Sequence, residues 1–398
     1  MLLLLLAHVA LADEQPSAGQ AAPGGNWSLT AGGNMSYVFP KGPYAGALLH
    51  SYGASFFDLR AKWQAAEGTA DPYERALHRP TVQVGLAYGD FSHVHLHSGN
   101  TPYESGIGRL WALYAGLQYD VVRHGRWGIG LDLQNGIGYC PRPYDETDNR
   151  DNHLIGAPFS IYVGLGLFAR YRLSPRWQAL FNADFRHFSN GILIRPNLGV
   201  NAVGPTLSVE YDLKSADRQP KPRAATADAP YPAGFYLETT AMMGFKTLID
   251  HFNAYQSGHS PLYASPTVMV APMLRYHRLH ASGLEIDYTY ADYVYRLRNF
   301  DQMFRRPQTT YSPHVVGIGF RHEVFYHHVS LAVGAGIYLK KQLGYTSEHE
   351  DGRYFQNVGL RYSLPFTGDR LFVGYNVRAH RFSKADCVQI ALGWRLAP

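Results

Sequence analysis

The feature that most constrains this chain is a recurring alternation of apolar and polar side chains in segments of about ten residues, separated by clusters of turn formers. Phe57, Leu59, Ala61 and Trp63 alternate with Asp58, Arg60 and Lys62, and Trp127, Ile129, Leu131 and Leu133 alternate with Gly128, Gly130, Asp132 and Gln134. Successive side chains of a strand point to opposite faces, so each segment offers one face suited to hydrocarbon and one suited to a polar interior. A soluble sandwich alternates in the same way, with its apolar face turned to a core.

Eight such segments precede a break, near Trp27–Val38, Ser51–Trp63, Thr81–Phe91, Leu113–Val122, Trp127–Tyr139, Ile161–Leu173, Trp177–Phe188 and Val200–Leu213. A polar, Pro- and Ala-rich stretch from Lys214 to Pro232 then interrupts the pattern, as a linker or long loop does. About eight further segments follow between Phe235 and Leu396, clearest in Leu371, Val373, Tyr375 and Val377. The expected fold is all-β: an antiparallel eight-stranded transmembrane barrel over residues 27–213, a linker over 214–232 and a second eight-strand unit over 233–398. One sixteen-stranded barrel satisfies the same count. Two units are preferred because the break falls where one barrel would close.

Composition supports a membrane setting. Beyond the N-terminus no run of 18 apolar residues exists, so any crossing of a bilayer must use strands. The 40 Gly, 29 Tyr and 20 Phe, with only 17% charged residues, suit Gly-rich strands and aromatic girdles. Residues 1–12 are Leu-rich and end in Ala10-Leu11-Ala12, a small-x-small pattern expected of a cleaved export signal, although a positive leading segment is missing; residues 13–26 would form an N-terminal segment. The formal net charge of +5 fits anionic headgroups and would attract nucleic acid equally. Cys140 and Cys387 lack metal-ligand spacing, and whether they pair is left open.

The segment Asp184-Phe185-Arg186-His187-Phe188-Ser189-Asn190-Gly191 ends the seventh strand. Trp177, Ala179, Phe181, Ala183 and Phe185 put the apolar face on odd positions, and His187 and Ser189 share it. The two are about 6.6 Å apart along a strand, within leaning distance for an imidazole. Polar side chains turned toward hydrocarbon are costly, which makes a lipid their natural substrate. On the eighth strand Asn201 has the same parity and can lie beside His187, giving a nucleophile, a base and a residue that orients the base. Backbone amides around Asn190 and Gly191 are candidate oxyanion donors. With the mature N-terminus in the periplasm, strand seven runs outward and the site meets the outer leaflet. The alternative for the pair is a polar patch solvated by headgroups at the membrane interface.

His187-Phe188-Ser189-Asn190-Gly191, then Pro196-Asn197 and Gly199-Val200-Asn201, followed by a closing strand ending at Tyr211, resemble the lipid A 3-O-deacylases, the PagL-type acyloxyacyl hydrolase-like barrels. The resemblance implies a serine esterase without cofactor or metal that removes the ester-linked 3-O-acyl chain of lipid A. It implies lipopolysaccharide and the outer membrane of a Gram-negative cell as partners, and no nucleic acid. His187 and Ser189 fall on the family's catalytic pair, and Asn201 stands where the best-known members carry Glu, which predicts a slower enzyme. Outer-membrane phospholipase A also uses Ser, His and Asn, so a phospholipase is one alternative; a non-enzymatic pore or scaffold is another.

In the second unit, Ala379-His380-Arg381-Phe382-Ser383-Lys384 looks like a decayed copy of the motif, with Arg381 at the His position and Lys384 at the Asn position. His380 has the wrong parity to assist Ser383. His93, His95 and His97, and His322 with His327 and His328, offer metal-ligand chemistry, but no carboxylate or Cys lies at ligand spacing. They are expected to be interfacial or lumen-facing polar residues.

Overall fold

A computed structural model of the chain describes residues 25–40, 42–98, 102–214, 231–381 and 384–396. The expected export signal at 1–12 and nearly all of the expected linker lie outside them.

The first unit is a closed antiparallel barrel of eight strands in sequence order. They are β1 (Asn26–Val38), β2 (Gly53–Gln64), β3 (Thr81–Leu96), β4 (Ser105–His124), β5 (Trp127–Tyr139), β6 (Phe159–Arg172), β7 (Trp177–Ser189) and β8 (Val200–Asp212). Pairing of β1 with β8, from Ser28 opposite Asp212 to Val38 opposite Ala202, removes the sheet edge. Helices α1 (Gly42–Leu48) and α2 (Pro72–Ala76) lie in the β1–β2 and β2–β3 connections.

The second unit closes in the same way through β9 (Gly234–Lys246), β10 (Tyr263–Arg275), β11 (His280–Tyr290), β12 (His314–Tyr326), β13 (Val329–Lys340), β14 (Tyr354–Ser363), β15 (Leu371–His380) and β16 (Lys384–Leu396), with β16 paired to β9. Helices α3 (Ile249–Tyr255) and α4 (Val294–Met303) sit in its β9–β10 and β11–β12 loops. Two closed sheets, not one large barrel, are therefore the answer to the strand count. By backbone contacts the chain divides into residues 1–190 with 196–228, and 191–195 with 229–398.

The alternation read from the sequence becomes inside and outside. On β2, Phe57 and Leu59 are exposed on the outer wall, while Asp58, Arg60 and Lys62 are buried in the lumen. The lumen is filled by polar side chains, many of them joined in ion pairs. Arg186 grips Asp58 at 3.2 and 2.7 Å, Arg60 Nη1 reaches Asp132 Oδ2 at 3.0 Å, and Lys62 Nζ reaches Glu210 Oε2 at 2.6 Å. Glu238 in the second barrel takes Arg321 at 2.7 Å and Arg361 at 3.0 Å. Small eight-stranded barrels leave interiors just wide enough for such packing. No helix among the described residues is long and apolar enough to cross a membrane. Both barrels carry exposed apolar side chains on their outer walls, Leu59 and Leu131 on the first and Leu284 and Phe320 on the second. Cys140 and Cys387 are buried free thiols, one in each barrel.

Candidate functional site

The end of β7 is set by its inward residues. Phe188 is 1% exposed, with its ring 5.0 Å from Tyr162 and 6.4 Å from Phe56. Two positions earlier, Arg186 is fixed in the lumen by Asp58. Anchoring 186 and 188 inside leaves His187 and Ser189 partly exposed on the outer wall. Outside, Phe39 packs on Phe185 at 6.0 Å, and Phe185 stacks on the imidazole of His187 at 6.4 Å with 11° between planes.

His187 pairs directly with Asn201 across the β7–β8 ladder. His187 Nδ1 lies 2.8 Å from Asn201 Oδ1, which suits an Nδ1–H that donates to the amide oxygen and leaves Nε2 able to accept. Asn201 is only 8% exposed despite its outward parity, and its carbonyl accepts from the amide of Phe39 at 3.0 Å. The amide oxygen that steadies the imidazole is thus itself held on a paired strand.

Residues 190–199 form the loop that completes the site. Asn197 Nδ2 donates to Ser189 Oγ at 2.8 Å, and its Oδ1 accepts from the Asn190 amide at 3.3 Å. The Asn190 amide, a candidate oxyanion donor by sequence, is here bonded to Asn197, and the donor at the serine oxygen is the Asn197 side chain. Gly191 turns the chain at φ +63°. Gly199 adopts φ +79°, and a Cβ there would come within 2.9 Å of His187 Cε1, so glycine provides both the backbone conformation and room for the ring. The loop is braced by the β5–β6 connection, where Leu198 N donates to His153 O and Gly199 N to Leu154 O, each at 2.9 Å. Sequence reasoning did not single out Asn197 as a site residue, because a loop residue has no strand parity to mark its direction.

The other histidines find partners distant in sequence. His95 Nδ1 is 3.1 Å from Glu104, His97 Nδ1 is 3.7 Å from Asp151 and His328 Nδ1 is 2.6 Å from Asp369. Asp351, His380 and Asp386 gather at one end of the second barrel, but Lys341 and Lys384 each reach Asp351 at 3.0 Å and Lys246 reaches Asp386 at 2.5 Å. Ammonium groups already neutralise these carboxylates, so the cluster is an ion-pair network.

The motif copy of the second unit lies at the β15–β16 connection. Strand β15 stops at His380, which points inward, is buried and lies 3.0 Å from the hydroxyl of Tyr338. Strand β16 begins at Lys384, so the ten-residue loop that carries Asn197 and Gly199 in the first barrel has no room to form. Ser383 lies outside the described residues.

Residues 235–398 match the family described as PagL_C, acyloxyacyl hydrolase, C-terminal domain. The match covers the second barrel, whereas the Ser–His–Asn constellation lies on the first. No curated protein matches the chain. Among solved structures, the chain is similar to OccK2 (OpdF) of Pseudomonas aeruginosa, with 10% identity over 94% of this chain and 96% of that one and a TM-score of 0.20. OccAB1 of Acinetobacter baumannii shares 10% identity over 96% and 99%, with a TM-score of 0.24. The β domain of the Bordetella autotransporter BrkA shares 10% over 94% and 99%, with a TM-score of 0.23.

Proposed function

We propose that the chain is a Gram-negative outer-membrane protein of the PagL type, a reading supported by the family match over residues 235–398, and that its first barrel is a serine esterase that removes the 3-O-acyl chain of lipid A. The observation that carries this reading is the 2.8 Å contact between His187 Nδ1 and Asn201 Oδ1, on the outer face that His187 shares with Ser189. A base held by an amide beside a serine on a lipid-facing wall suits hydrolysis of a lipid ester.

In this mechanism Ser189 Oγ attacks the ester carbonyl while His187 takes its proton. Asn197 Nδ2, already 2.8 Å from Ser189 Oγ, stabilises the oxyanion as the tetrahedral intermediate forms. His187 then protonates the departing sugar oxygen, and water, deprotonated by His187, releases the hydroxyacyl chain as a free acid and returns the proton to Ser189. Asn201 keeps the ring oriented but, being neutral, stabilises the imidazolium less than a carboxylate does. Outer-membrane barrels turn their short connections to the periplasm, and the loop after Ser189 lies at the opposite end from the β4–β5 and β6–β7 turns. The two short turns at the other end support a serine at the leaflet that holds lipopolysaccharide.

The test is mass spectrometry of lipid A incubated in detergent with the refolded protein and with Ser189→Ala. Loss of one hydroxyacyl chain with the original protein alone is the expected result. An intact lipid A with both, when heat-modifiable gel mobility shows both to be folded, would overturn the proposal.

A further inference from the structure

His322, singled out by sequence only as a possible ligand, meets a serine. Ser282 on β11 stands opposite His322 on β12, and its Oγ lies 2.8 Å from His322 Nδ1. Both side chains share the outer wall with Leu284 and Phe320, while Ala281, Glu285, Arg321 and Glu323 point into the lumen. We propose that Ser282 and His322 form a second esterase site, on the second barrel, that cleaves an acyl ester of a glycerophospholipid in the periplasmic leaflet.

Two observations support the assignment. The first is depth. Ser282 lies two residues from His280 at the start of β11, next to the short 276–279 turn, and two residues from Leu284 in the other direction. Leu284 and Phe320 are paired and are 55% and 54% exposed, so hydrocarbon begins one step beyond the serine. The ester carbonyls of a lipid lie at that boundary between headgroup and chain. The loops at the far end, 247–262, 291–313 and 341–353, are long and the turns at this end are short, which assigns this end to the periplasm. The accessible lipid there is phospholipid.

The second is the polar set around the pair. The Tyr276 hydroxyl is 3.3 Å from Ser282 Oγ, in position to donate to an oxyanion forming beside it. The ring of His280 stacks on His322 at 5.4 Å, and His277 on His280 at 5.6 Å.

The chemistry balances without a cofactor. Ser282 Oγ bonds to the acyl carbon, its proton passes to His322 Nδ1, and the carbon–oxygen bond to glycerol breaks as His322 returns that proton to the glycerol oxygen. Water then attacks the acyl-serine, gives a proton through His322 to Ser282 Oγ, and leaves a fatty acid and a lysophospholipid.

The experiment uses the full chain carrying Ser189→Ala, so that the first barrel's serine cannot contribute, in mixed micelles of detergent and phosphatidylethanolamine. Release of fatty acid is expected, with its loss in Ser189→Ala/Ser282→Ala and a decrease of roughly 10²–10⁴-fold in Ser189→Ala/His322→Ala. In parallel, a fluorophosphonate probe applied to the Ser189→Ala protein is expected to modify Ser282, mapped by peptide mass spectrometry, which needs no change at the pair itself. Equal release with and without Ser282, or no release and no adduct at Ser282, overturns the proposal.

Discussion

Asn201 and Gly199 set opposite demands on the same imidazole. Asn201 holds His187 by one hydrogen bond, and Gly199 leaves the space in which the ring sits. The imidazolium is charged whichever acceptor it meets, so what a carboxylate adds to the hydrogen bond is charge–charge attraction, about 1 kcal/mol at a partly exposed site. Asn201→Glu is therefore expected to raise kcat for deacylation roughly fivefold. Asn201→Ala is expected to lower kcat by about 10²-fold with little change in KM, since it frees the base without touching the substrate. Steady-state assays on both variants separate this orienting role from a purely structural one. At Gly199 an alanine meets strain of about 1–2 kcal/mol from its left-handed backbone as well as the 2.9 Å approach to His187 Cε1. Gly199→Ala should lower both the urea midpoint and kcat; unchanged kinetics would show that the ring is not confined by this loop.

At the level of elements, the loop that carries Asn197 depends on its neighbour. The β5–β6 connection braces residues 198 and 199 and is in turn tied to α1, where the Tyr44 hydroxyl lies 2.6 Å from His153 Nδ1. Burial holds His153 below the usual histidine range, outweighing the pull of Asp151 toward the charged form. Below the ordinary histidine value the unfolded segment takes up a proton that the folded one resists, so local stability is complete above that value and falls as the pH drops through it. Hydrogen exchange in residues 140–158, corrected for intrinsic rates, should therefore quicken relative to the rest of the barrel between pH 7.5 and 5.5. His153→Phe should remove that pH dependence.

Across the whole molecule, each barrel closes on itself and fills its own lumen. Breaking a buried ion pair from one side strands the remaining charge, at a cost of about 3–5 kcal/mol. Arg186→Ala, which leaves Asp58 facing the lumen without its bidentate partner, should lower the stability of the first barrel by that order in urea titrations. Because no strand is shared, residues 231–398 expressed alone should refold in detergent with heat-modifiable mobility. Failure to do so would mean that the second barrel needs the first to fold.

The strand count, the break between units and the inward or outward direction of side chains were legible in the sequence, because a period of two is a local property of the backbone and burial follows it residue by residue. The shared outward parity of His187, Ser189 and Asn201 was legible for the same reason, each lying on a strand whose apolar neighbours reveal its direction. Other features were settled only by the closed fold. Asn197 sits in a loop without periodicity, and its link to Ser189 depends on how residues 190–199 are braced by residues 153 and 154. Ser282 and His322 are separated by 40 residues and meet only through the β11–β12 register, a choice made by pairing across the sheet that no local pattern encodes.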